Sequence, residues 1–128
     1  MNLAIRLFAL FGLLAVVGCS DDPLGGENSG GDFAIDVGTG LQPLYSWGAG
    51  AAVSVEVART TNLLAVWHVA SPQAQDITSP VRHGTVPAGA VELHDLADAE
   101  TTLTAGVQYR ITITLVNGAQ TAFLIFTP

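Results

Sequence analysis

With 128 residues, 49% of them hydrophobic and only 12% charged, the chain carries enough apolar material for one small domain and is too apolar to be disordered. Its 11 Asp and Glu outweigh four Arg for a formal net charge of −7, a field that opposes binding to nucleic acid. Lysine is absent, which removes phosphate-binding loops of the Gly-Lys-Ser/Thr type, Schiff-base chemistry and lysine general bases.

Met1 to Arg6 supplies a short segment with one positive charge, and Leu7 to Val17 follows as an apolar run interrupted only by Gly12. As a helix those eleven residues reach about 17 Å, well short of the roughly 30 Å hydrocarbon core of a bilayer, so the run reads as an export signal rather than a transmembrane anchor. It ends in Val16-Val17-Gly18-Cys19, then Ser20, and Cys19 is the only cysteine. This ending resembles the lipobox of bacterial lipoproteins. The resemblance implies that residues 1–18 are a signal peptide and that the Cys19 thiol is alkylated with diacylglycerol. Its freed amino group would take a further acyl chain such as palmitate. It also implies a membrane partner held through Cys19, and Ser20 is similar to the residue that directs such proteins to the outer membrane of the cell envelope.

Residues 19–32 follow as the lipidated cysteine and a Gly- and Asp-rich stretch without period, read as a flexible tether with a reach of about 20 Å. From residue 33 to 128 the pattern changes to period two, the mark of half-buried strands. Strands are expected at 33–37, 43–47, 52–58, 63–69, 77–84, 106–116 and 119–127, with Val53, Val55 and Val57 on one face of the third. About seven short strands predict an all-β antiparallel sandwich. Residues 91–100 have helical spacing at Leu93, Leu96, Ala97 and Glu100 without framing caps, and read as an irregular connection with at most one helical turn.

Asn117-Gly118 predicts a tight type I′ hairpin, because both central positions need positive φ. The register follows. Ile113, Ile111 and Tyr109 should oppose Ala122, Leu124 and Phe126 on the inner face, while Thr114, Thr112 and Arg110 oppose Thr121, Phe123 and Ile125 on the outer face. The run Ala122 to Phe126 is apolar on both faces, so Phe123 and Ile125 form a candidate interaction strip on an edge strand, open to a protein partner in the cell envelope. The aliphatic stem of Arg110 is placed to screen it.

Leu103-Thr104-Ala105-Gly106-Val107-Gln108-Tyr109 is similar to the tyrosine corner of fibronectin type III domains, and Pro43 to Trp47 with the 52–58 strand resembles the region of that family that carries the core tryptophan. The resemblance covers residues 41 to 128. It implies that Leu103, Gly106 and Tyr109 form a structural corner in which the Tyr109 hydroxyl bonds back to upstream backbone, and that the domain is a binding or structural module. Trp67 and the stretch from Ser71 to Thr102 depart from the pattern, so a different immunoglobulin-like strand order between 63 and 103 stays open.

Chemistry is sparse. Ser46 lies in Leu44-Tyr45-Ser46-Trp47-Gly48 and not in a nucleophile elbow, and Gly48-Ala49-Gly50 lacks the third glycine and following helix of a dinucleotide loop. His68, His83 and His94 with Glu92 or Asp95 match no established metal-ligand spacing, and Asp95, Asp98 and Glu100 read as a solvated acidic loop sooner than a calcium site. No catalytic, cofactor or metal residue is therefore expected, and the chain reads as a non-enzymatic lipoprotein whose sandwich serves structure or protein interaction. The alternative is a small-ligand or carbohydrate-binding module using Tyr45 or Trp67 as exposed aromatics.

Overall fold

A computed structural model describes residues 29–73, 76–93, 99–116 and 120–128. Nine strands form: β1 (Ser29–Gly31), β2 (Ile35–Val37), β3 (Leu44–Trp47), β4 (Ala52–Arg59), β5 (Ala65–Ala70), β6 (Val81–Arg82), β7 (Val91–Glu92), β8 (Tyr109–Leu115) and β9 (Thr121–Phe126). They build two antiparallel sheets, a six-stranded one in the order β1-β9-β8-β4-β5-β7 and a three-stranded one in the order β2-β3-β6. Ile35, Tyr45 and Trp47 of the small sheet share one core with Val55, Val57, Trp67, Val69, Ile111 and Ile113 of the large one. The fold is a β-sandwich, as its period-two pattern predicts.

The central hairpin follows its alternation. In β8 Tyr109, Ile111, Ile113 and Leu115 are buried while Arg110, Thr112 and Thr114 are half-exposed, and β9 pairs with it in the expected register from Tyr109 opposite Phe126 to Thr114 opposite Thr121. Asn117 and Gly118 lie outside the described residues. In β4 the pattern is interrupted: a register shift between Ala52 and Ser54 buries Ala52 together with Val55 and Val57 and leaves Val53 half-exposed. The extra residue of a bulge flips the facing of everything before it, so Val53 leaves the face that alternation alone assigns to it.

Three expectations are corrected. Ser29–Gly31, the end of the stretch read as a tether, pair with Leu124, Phe123 and Ala122, so the sheet begins four residues before 33. Gly31 explains why a glycine run does this: at φ 112° a Cβ there would sit 2.3 Å from the Thr121 carbonyl oxygen and 2.5 Å from Ala122 Cα. Only glycine brings the two backbones that close. Next, the 77–84 strand is split into a single bridge between Ile77 and Ala52 and the short β6, separated at Pro80, which has no N–H to donate. Finally, Val91–Glu92, assigned to an irregular connection, add β7 to the edge of β5. His94, Asp95, Leu96, Ala97 and Asp98 lie outside the described residues.

Candidate functional site

Tyr45, His83, Glu100 and Tyr109 meet at one end of the sandwich, where β4 ends, β5 and β8 begin, and the segment after Ala99 crosses. Tyr109 starts β8 fully buried, and the turn before it is set by Gly106 at φ 78° and a bond from the Val107 N–H to the Thr104 carbonyl. The Tyr109 hydroxyl accepts from the N–H of Thr104 at 3.0 Å, five residues upstream, and donates to Glu100 Oε2 at 2.7 Å. Leu103, 2% exposed, packs into the core beside it. Leu103, Gly106 and Tyr109 thus sit in one corner, with the hydroxyl turned back on upstream backbone.

Glu100 ties this corner to three further elements. Its second carboxylate oxygen is paired with the Arg59 guanidinium at the end of β4, and its N–H donates to the Val66 carbonyl in β5 at 2.7 Å. Its own carbonyl accepts from His83 Nε2 at 2.7 Å. A carbonyl can only accept, so Nε2 carries the proton and, in the neutral ring, Nδ1 is the acceptor for the Tyr45 hydroxyl at 2.9 Å. His83 is completely buried, and burial pushes its imidazole below the ordinary histidine value although the Glu100 carbonyl and carboxylate pull the other way. Burial pushes the Tyr45 phenol far above its ordinary range, and the neighbouring Tyr109 adds to the shift.

Trp67 completes the cluster, its ring 4.9 Å from that of His83 and 6.2 Å from that of Tyr45. Tyr45 and Trp67 are both 0% exposed, which removes them as the surface platform of the alternative reading. Glu100 is likewise not the solvated loop residue its neighbours suggest, because both carboxylate oxygens are already engaged. Among the described residues no group of three His, Cys, Asp or Glu is placed to hold a metal ion. Each side-chain polar atom of Glu100, His83 and Tyr109 is used on a neighbour, so this arrangement can clamp strands together.

The candidate strip lies on the outer face of the large sheet. Arg110 Cζ stands 6.0 Å from the centre of the Phe123 ring, and Phe123 and Ile125 are half-buried. The expectation of an open edge is corrected: β1 pairs along Ala122 to Leu124, and Gly30 lies so close to Phe123 that a Cβ would meet the ring at 2.7 Å. Cys19 lies outside the described residues.

No family model, curated protein or solved structure matches this chain.

Sequence reading missed the partners of Glu100. Arg59, Glu100, His83 and Tyr45 carry no motif, and the only local sign was that His83 shares the parity of Val81 in the expected 77–84 strand. It also passed over Leu63 and Leu64, placed in a strand but found in the turn between β4 and β5.

Proposed function

We propose that this chain is the precursor of an extracytoplasmic lipoprotein, cleaved before Cys19 and held at the outer membrane by acyl chains on that residue, whose sandwich is a structural or protein-interaction module. The observation that carries the reading is the position of the sole cysteine, directly after Val16-Val17-Gly18 and an apolar run too short to span a bilayer. Two or three buried acyl chains hold far more firmly than one, since each buried methylene contributes about 0.8 kcal/mol. The use of every side-chain polar atom of Glu100, His83 and Tyr109 inside the fold supports a scaffold over a catalyst.

The fibronectin type III-like reading draws support from strand order. If β3 is strand B, β4 strand C and β8 strand F, then β2, β3 and β6 stand in the A-B-E order and β4, β8 and β9 in the C-F-G order of immunoglobulin-like sandwiches. β1 and β7 are additions to that plan.

Intact-mass analysis of the protein from a lipoprotein-processing host tests the anchoring. The expected product starts at Cys19 and carries diacylglyceryl and acyl mass, and Cys19→Ser blocks both changes and releases the protein from the membrane fraction. A product retaining residues 1–18, or an unmodified sulfur, overturns the reading.

A further inference from the structure

Leu63 and Leu64, in the β4–β5 turn, are 56% and 53% exposed. Leu63 is also the one described residue other than glycine at positive φ, 56°, a conformation that favours glycine or asparagine and is unfavourable for a bulky side chain. The turn is held firmly: Leu63 N–H donates to the Arg59 carbonyl at 2.9 Å, and Asn62 Oδ1 accepts from Leu64 N–H at 3.0 Å. Backbone strain and apolar exposure therefore fall on the same tip.

The tip stands where the chain comes in. Read from Gly31 back to Ser29, β1 runs beside Ala122 to Leu124, toward the end where Phe126, Tyr109 and Arg59 lie level and the β4–β5 turn projects. Cys19 precedes Ser29 by ten residues, a reach of about 18 Å as a coil and at most about 35 Å extended. In the sheet β4 is three strands from β1, about 14 Å. An anchor on Cys19 thus brings this end of the domain within reach of the lipid surface.

Charge is arranged to match. The turns at this end, residues 60–64 and 104–108, contain no ionisable side chain, and Arg59 is paired with Glu100. Two of the described carboxylates, Asp32 beside Thr121 and Asp76 beside the Ile77 to Ala52 bridge, lie at the far end. Among the described residues the charges at this end include the Arg59–Glu100 pair and the exposed Arg82 guanidinium, which donates to the Gln42 carbonyl. Neither repels an anionic headgroup surface, and Asp32 and Asp76 face away from it.

We infer that the β4–β5 turn is a second membrane contact, in which Leu63 and Leu64 enter the headgroup region of the bilayer that holds the acyl chains of Cys19. The inference rests on the anchoring proposed above. Its role is to set the orientation of the sandwich, with the β4–β5 end against the lipid and the Gly48–Gly50 end outward.

The test uses the mature full-length protein in vesicles of phosphatidylethanolamine and phosphatidylglycerol. A fluorophore is attached through Thr61→Cys at the tip or through Ala49→Cys at the opposite end, both exposed positions, and is quenched by nitroxide-labelled lipid. Quenching about fivefold stronger at the tip is expected, falling to the far-end level when Leu63→Asn and Leu64→Ser are added. Thermal melts of that variant, expected no lower than those of the parent because Asn accepts positive φ, separate lost contact from lost fold. The mass of Cys19 is read on the same samples. Equal quenching at both ends with lipid present on Cys19, or tip quenching that the leucine substitutions do not reduce, overturns this contact and leaves the anchor standing. An unlipidated Cys19 overturns the anchor and this inference together.

Discussion

The backbone carbonyl of Glu100 accepts a hydrogen bond from Nε2 of His83, and this contact decides which nitrogen of a fully buried imidazole carries the proton. It places the proton on Nε2, so that in the neutral ring Nδ1 accepts from the Tyr45 hydroxyl, and burial favours that neutral form.

Stability should therefore fall on acidification. Burial depresses the imidazole in the folded protein, whereas the unfolded chain titrates near the ordinary value of 6.5. Above that value both states are neutral and the folded state keeps its full margin. Below it the unfolded state takes up a proton that the folded state refuses, and the margin shrinks until the pH reaches the depressed folded value. Urea midpoints measured from neutral to mildly acidic pH should decline over this window, and the decline should flatten in His83→Gln. A wild-type midpoint that holds steady there would show that the ring protonates in place.

Tyr109→Phe should destabilise the domain by about 2 kcal/mol, because it leaves the Thr104 N–H without its acceptor and Glu100 Oε2 without its donor in a partly buried setting. Chemical denaturation provides the number. A loss below about 0.5 kcal/mol would mean that water takes over both bonds and that the corner contributes little to stability.

The two glycines of β1 should behave differently. At Gly31 an added Cβ meets the backbone of Thr121 and Ala122 at positive φ, so Gly31→Ala should cost about 1 to 3 kcal/mol or strip β1 from the sheet. At Gly30 the obstacle is the far end of the Phe123 ring, which can turn aside, and Gly30→Ala should cost less. Amide hydrogen exchange along Ala122 to Leu124 distinguishes local detachment from global loss. Equal effects at the two positions would contradict the close approach at Gly31.

Phe123→Thr should lower stability by about 1 kcal/mol through lost contact with Gly30 and Arg110 while leaving the sedimentation coefficient unchanged. A shift in oligomeric state would identify the outer strip as a contact between chains, despite the cover that β1 gives it.

The sequence by itself determined the features that rest on short-range chemistry. Alternation of β-branched and polar residues, with Asn117-Gly118 between two runs, set the β8 and β9 pairing and its register, since period two and turn geometry act over a few residues. The same reading found the all-β class.

Tertiary structure alone decided the rest, for two reasons. A glycine run in a chain looks like a linker until a neighbouring strand arrives for it to approach, so β1 exists only because β9 offers an edge to Gly30 and Gly31. The buried network joins residues 41, 38 and 17 positions apart, Arg59 with Glu100, Tyr45 with His83 and His83 with Glu100, and no periodicity along the chain records such pairings. Burial of Tyr45 and Trp67, and exposure of Leu63 and Leu64, follow from how the two sheets close and where the β4–β5 turn falls, and both are set by packing across the core.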